Sequence, residues 1–201
     1  MSLFRKIFGL KNTPEDNIKS EERGKYMPEI KLPVDEQFTI NFKANGGKFL
    51  YCENMKEIQD SLNSILKENN WENDNILLFD ERLNDLFKDF NFNTTKRISE
   101  SAFFFSTCEY LISDDGSLLI SSNQIAEKKL KELPDNFVIY ATTSQFVQNI
   151  GEGLRGIKGK NKDKIPTNIT TIKHFKTVED KDFLTYGSSS KNLYLLLLED
   201  L

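Results

Sequence analysis

Phe137-Val138-Ile139-Tyr140-Ala141-Thr142-Thr143-Ser144-Gln145 joins five apolar or aromatic residues to three hydroxyls and an amide. A short apolar run without polar alternation is the pattern of a strand covered on both faces. The hydroxyls that follow suit the start of a helix, here one carrying Phe146, Val147, Ile150 and Leu154. The same strand-then-cap pattern recurs upstream. Lys48-Phe49-Leu50-Tyr51-Cys52 precedes Asn54 and a stripe of Met55, Ile58, Leu62, Ile65 and Leu66. Ile76-Leu77-Leu78-Phe79 precedes Asp80 and a stripe of Leu83, Leu86, Phe87 and Phe90. A last apolar run spans Leu193 to Leu198. Strands alternating with helices predict an α/β fold, a mostly parallel sheet flanked by helices. In such sheets ligands sit beyond the carboxyl ends of the strands.

Between these units, Ala102 to Phe105 reads as a further buried strand. Tyr110-Leu111-Ile112, the turn Ser113-Asp114-Asp115-Gly116 and the run Ser117 to Ser121 read as a hairpin, because glycine accepts the positive φ the turn requires. Ile125 to Leu133 reads as a short helix stopped by Pro134. Near the start, Phe38, Ile40 and Phe42 alternate with polar residues, which predicts a half-buried strand or extended lead-in before the Asn45-Gly46-Gly47 turn. Leu3, Phe4, Ile7 and Phe8 form a short amphipathic segment, and Lys11 to Glu36 has the composition of a charged linker. The expected organisation is residues 1–36 as appendage and 37–201 as one α/β domain.

The chain has 201 residues, 38% hydrophobic and 29% charged, with a formal net charge of −4 and a pI near 5.3. That balance gives no footprint for nucleic acid, and no apolar run approaches the roughly 20 residues of a membrane span. Cys52 and Cys108 are the two cysteines and His174 the single histidine. A disulfide framework and a Cys/His metal site are therefore not expected, and a reducing, cytoplasmic compartment is. A Ser-His-Asp triad would rest on His174 alone. No Gly-x-Gly-x-x-Gly fingerprint supports a tightly held dinucleotide.

Several groups carry a chemical and a plainer reading together. Glu109, at a strand end, suits a catalytic carboxylate, a turn cap or a partner for a surface lysine. Asp114 and Asp115 suit a shared proton, a metal or ordinary turn chemistry, and with Gly116 and Ser117 they are candidates for ligand binding. Thr142, Thr143, Ser144 and Gln145 would offer hydroxyls and amides to an anion at a helix start, or simply cap it. Gly187, Ser188, Ser189 and Lys191 suit a phosphate nest or a solvated loop. Gly151, Gly153 and Gly156 allow close approach of a helix, a subunit or a ligand, beside Arg155 as an anion clamp or an exposed cation. Cys108 suits a nucleophile or a small buried hydrophobe.

The stretch Cys108 to Ser122 resembles the Glu-Thr-Gly-Thr hairpin of the lactate-utilization (LUD) family, with Asp114 and Asp115 at the Glu and first Thr positions. The resemblance continues through Leu133-Pro134, through Phe137 to Gln145, and through Pro166-Thr167-Asn168-Ile169-Thr170. Lys25-Tyr26-Met27-Pro28 and Asn45 to Tyr51 look like the short bacterial form. Lys173-His174-Phe175 stands where the family has Gly-Pro-Ser, and its His-Gly-Pro falls in Gly187 to Ser190.

The resemblance implies a fold similar to the sugar-phosphate isomerase and CoA-transferase superfamily, and a role in lactate or related carboxylate utilization alongside iron–sulfur partner proteins. The partners expected are a small anion (carboxylate, phosphate or CoA-type), those iron–sulfur proteins, and a second copy of the chain in a homodimer. The anion would bind across the Asp114–Ser117 turn, the Thr142–Gln145 cap and the Gly187–Lys191 loop. Two readings stand at this point: a small-ligand protein that can be an enzyme, and a non-catalytic interaction or regulatory protein that keeps the fold.

Overall fold

A computed structural model describes residues 32–175 and 191–201. The first element is not the strand expected there. Helix α1 (Val34–Ala44) starts at Pro33, carries Asp35 and Glu36 in its first turn and Lys43 in its last, and buries Phe38 and Phe42. Their rings stack at 5.2 Å. Positions i and i+4 share a face in a helix and also in a strand, so that pair cannot tell the two apart. Ile40 can, and it is 56% exposed, on the far side of the helix.

Strand β1 (Lys48–Cys52) leads to helix α2 (Met55–Asn69), capped by the Asn54 side chain on the Glu57 amide and closed by left-handed Asn70. Its buried face is Ile58, Leu62, Ile65 and Leu66, as the periodicity requires. Strand β2 (Asn75–Leu77) leads to α3 (Glu81–Leu86), which Asp80 caps. The stripe expected to run on through Phe90 instead breaks into a 3₁₀ turn at Lys88–Phe90, followed by an edge strand β3 (Asn93–Thr95). Strand β4 (Phe103–Thr107) enters the hairpin of β5 (Tyr110–Ile112) and β6 (Ser117–Ile120).

Helix α4 (Ser122–Ile125) is only one turn long. Ala126 adopts φ +51°, and a 3₁₀ turn at Leu130–Glu132 replaces the rest of the expected helix. Then follow β7 (Asn136–Thr142), β8 (Phe146–Val147), α5 (Ile150–Lys160), β9 (Thr170–Ile172) and β10 (Asn192–Leu198).

The main sheet has the order β1-β10-β7-β4-β2-β3 and is parallel throughout. A smaller sheet, β8-β5-β6-β9, is built on the hairpin. Alternate residues of the main strands feed two cores. Phe104, Phe137, Ile139, Leu193, Leu195 and Leu197 pack with Phe38, Phe42, Leu111 and Leu118, between α1 and the small sheet. Phe103, Phe105, Val138, Tyr194 and Leu196 pack with Ile58, Leu62, Trp71 and Leu83, under α2 and α3. Both faces are dry, which explains the unbroken apolar runs. A third cluster of Tyr110, Ile112, Leu119 and Ile157 seats α5 on the outer face of the small sheet.

The glycines of α5 serve that seat. A β-carbon at Gly156 would lie 2.2 Å from the Tyr110 hydroxyl, and one at Gly153 would lie 2.8 Å from Leu119. Close helix-to-sheet approach is thus the reading that holds for these two positions. Among the described residues no helix is long and apolar enough to cross a membrane.

Candidate functional site

The carboxyl ends of β2, β4 and β7 open onto one cleft of about 540 Å³. Its wall includes Asp80, Arg82, Thr107, Glu109, Asn123, Tyr140, Thr142, Ser144, Gln145 and Lys160. Each polar group arrives there for a local reason.

Glu109 follows β4, where the chain leaves the main sheet for the hairpin. Its amide donates to Leu119 O at 2.8 Å, which fixes the backbone. Its Oε1 accepts from the Ser121 hydroxyl at 2.6 Å and from Asn123 Nδ2 at 2.9 Å. Ser121 is itself held as the N-cap of α4, with Gln124 reaching back to its amide at 2.9 Å. The carboxylate is therefore oriented by a capping box, and its acceptor-only character is complemented on one oxygen.

Gln145 ties the two halves of the cleft floor. Its Oε1 accepts from the Thr142 amide at 2.8 Å, and its Nε2 donates to Cys108 O at 2.6 Å and to Glu109 O at 3.3 Å. The expected helix start at this point is a three-residue 3₁₀ turn, Thr143–Gln145, followed at once by β8. The α-helix begins later, capped by Asn149 on the Glu152 amide. Val147 O is already engaged by the Ser113 amide, so residues 146–147 pair with the hairpin instead of winding on.

Two cations stand at the cleft. Arg82, in the first turn of α3, holds Asp80 in a bidentate pair at 2.8 and 2.7 Å, with its own side chain 81% exposed. Hydrogen bonding from Arg82 draws the Asp80 carboxyl below its usual range against partial burial. Lys160, at the end of α5, lies 4.7 Å from the Tyr110 ring centre. Burial, with a smaller push from the Asp200 charge, raises the Tyr140 phenol. Burial raises the Cys108 thiol far above its ordinary value, with Glu109 adding to it. A thiol so placed is not a nucleophile at neutral pH, and the hydrophobe reading of Cys108 holds.

The sequence-predicted residues divide sharply. Glu109, Thr142, Ser144 and Gln145 line the cleft. Thr143 is buried beside them and points its hydroxyl at Asp200. Asp114, Asp115, Gly116 and Ser117 lie at the far tip of the hairpin and are held by α1. Asn41 Nδ2 donates to Ser113 O and Asp114 O, and Asn45 Nδ2 donates to Asp115 O at 2.7 Å. Asp115 Oδ1 accepts from the Ser117 amide and hydroxyl, Lys173 sits 3.5 Å from its other oxygen, and Gln148 binds Asp114 at 2.6 Å. Gly116 at φ +67° presses against Asn41 and Phe42.

Lys191 precedes β10 at the opposite, amino end of the sheet. It is 2% exposed and donates to Leu133 O at 3.0 Å and Asp135 at 3.2 Å. Gly187, Ser188 and Ser189 lie outside the described residues. The hairpin tip and Lys191 are each held by structural partners and do not line the cleft that Thr142, Ser144 and Gln145 line.

Asp80, Arg82, Asn123, Tyr140, Lys160 and Asp200 escaped the sequence reading as site residues. Asp80 and Arg82 carried a signal, since they form the cap and first turn of the helix that follows a strand's carboxyl end. Asp200 carried none. Among the described residues no group of three or more His, Cys, Asp or Glu side chains is placed to hold a metal.

A mostly parallel sheet flanked by helices, with a polar cleft at its carboxyl edge, defines an α/β protein. Residues 36–198 match the LUD domain family, and the chain belongs to it. Among solved structures it is similar to a DUF162 family protein from Deinococcus radiodurans, with a TM-score of 0.57 and 13% identity over 83% of this chain and 96% of that one. At that identity the likeness is one of fold. No curated protein matches the chain in sequence.

Proposed function

We propose that the chain binds a small anionic ligand, of carboxylate, phosphate or coenzyme A type, in the cleft between Glu109, Arg82 and Lys160. Membership of the LUD family links it to lactate utilization in general, and we place it in that or a related carboxylate pathway in the cytoplasm, beside iron–sulfur partners. The observation that carries the reading is the convergence of two cations from unconnected helices on one cleft with a preoriented carboxylate. Arg82 gives two N–H groups to Asp80 and, among the described residues, keeps three for an anion. A volume of about 540 Å³ lies inside the range of drug-sized ligand sites, so a coenzyme A fragment fits as well as a hydrated hydroxy acid.

Glu109 is the group we assign to chemistry. A carboxylate with one oxygen held and the other turned to a bound acyl or hydroxyl group can act as nucleophile or base, as carboxylates do in the CoA transferases this fold resembles. The second reading, a non-catalytic regulatory protein, draws support from Asp80 pairing with Arg82 and from Asp200 filling the Thr143 and Ser144 donors.

Thermal denaturation of the full chain with lactate, inorganic phosphate and coenzyme A separates the two. A ligand that binds only the folded state raises Tm by mass action, about 2.7 kcal/mol of stability at 100 times Kd. Flat Tm for all three supports the non-catalytic reading.

A further inference from the structure

After β10 the chain crosses the carboxyl ends of the sheet. Glu199 is tied to β1, with its amide on Cys52 O at 2.9 Å and its carboxylate on the Tyr51 hydroxyl. The next residue, Asp200, is exposed, yet both oxygens of its carboxylate are engaged. Oδ1 accepts from the Ser144 amide at 2.8 Å and from the Thr143 hydroxyl at 2.9 Å, and Oδ2 accepts from the Ser144 hydroxyl at 2.7 Å. The Asp200 amide donates back to Thr143 Oγ1 at 3.1 Å.

Counting protons shows what this does to the cleft. A serine or threonine hydroxyl has one hydrogen to give. Ser144 gives its own to Asp200 and accepts from Thr142 Oγ1, 2.9 Å away, and Thr143 gives its own to Asp200 as well. Three donors at the cleft rim, two of them on the lining residue Ser144, are therefore unavailable to any ligand while Asp200 is docked. Its negative charge also stands at the rim and opposes an incoming anion.

We infer that residues Glu199 and Asp200 form an autoinhibitory strap, in which the Asp200 carboxylate occupies the Thr143 and Ser144 donors until a ligand carboxylate or phosphate displaces it. This rests on the anion-binding reading of the cleft and adds its regulation. The anchor at Tyr51 and Cys52 keeps the strap in place when Asp200 lets go, so exchange needs only a local movement. Apparent affinity is the intrinsic affinity reduced by the fraction of molecules with the strap undocked.

The test is calorimetric titration at constant ionic strength with two probes, inorganic phosphate and acetate. The proteins are the full wild-type chain, Asp200→Ala, Asp200→Asn, and Asp200→Ala combined with Ser144→Ala, with Arg82→Ala as the control for the site itself. Asp200→Ala is expected to bind one or both probes roughly three- to tenfold more tightly. Asp200→Asn, which keeps a docking amide without the charge, falls between it and wild type. The double variant loses the gain. Equal or weaker binding by Asp200→Ala, with Arg82→Ala still weakening the wild-type affinity, overturns the strap and leaves the anion site standing. Failure of all four proteins to bind either probe removes both.

Discussion

Gln145 Nε2 lies 2.6 Å from the carbonyl oxygen of Cys108, and this one amide joins the end of β7 to the end of β4. The Cys108 carbonyl sits where the chain abandons the parallel sheet for the hairpin, so neither strand's ladder supplies its partner. The same amide group closes on the Thr142 N–H through Oε1. Glu109, the next residue, inherits its position from this link and from Ser121.

Gln145→Ala should therefore destabilise the protein by about 1–3 kcal/mol, the penalty for leaving buried backbone groups unpaired. Urea unfolding measures it. Gln145→Glu should lose nearly as much, because a carboxylate can still accept from Thr142 but repels the Cys108 and Glu109 carbonyls.

Glu109→Gln keeps an oxygen for Ser121 and Asn123, so stability should change by less than about 1 kcal/mol. Removing a negative charge from the cleft should tighten inorganic phosphate binding several-fold. Weaker phosphate binding in this variant would show that the cleft does not take the anion beside Glu109.

Gly116→Ala should cost about 2–4 kcal/mol, from a left-handed φ together with overpacking. Gly116 has φ +67°, and an added β-carbon would lie 2.3 Å from the Phe42 amide nitrogen. Because the loss falls on α1 docking and not on the cleft, phosphate affinity measured below the melting transition should be unchanged.

Acid should weaken the fold partly through Asp80 and Asp200. Partial burial pulls the Asp200 carboxyl up, but hydrogen bonds from Ser144 and Thr143 outweigh it and hold the group below its ordinary value. Asp80 is held down by Arg82. A carboxyl depressed in the folded state contributes stability that is present above the unfolded value, near 3.9, and is lost as pH falls through the folded one. Arg82 and Asp200 are exposed, so each contribution is at most about 1 kcal/mol. Stability of Asp80→Asn should accordingly fall less steeply than wild type below pH 4 and lie below it at pH 7, as followed by urea midpoints across pH.

Much of the fold is legible in the residues. The runs at 76–79, 103–105, 137–141 and 193–198 are apolar because both faces of those strands are largely buried, while the edge run 48–52 is only half-buried, and Asn54 and Asp80 cap the helices that follow. The failures have physical causes. Phe38 and Phe42 fit either period. The hydroxyl run after β7 reads as a helix cap because Thr and Ser favour that position, but pairing of Phe146–Val147 with β5 is a long-range interaction that overrides it. Part of the candidate site followed from the rule that ligands gather at strand ends, which reached Glu109, Thr142, Ser144 and Gln145. Asp114 to Ser117 failed because a turn sequence does not reveal that α1 will clamp it. Lys160 and Asp200 come to the cleft only through tertiary packing.

Anion binding in the cleft between Glu109, Arg82 and Lys160 is open to direct measurement. Amide NMR of the labelled full chain during a phosphate titration at constant ionic strength tests it most directly. Saturating shifts of Arg82, Asn123 and Gln145 with one common Kd are expected, lost when Arg82 and Lys160 are both replaced by alanine. Shifts scattered over the surface without saturation, or the same saturating set in the double variant, would contradict it.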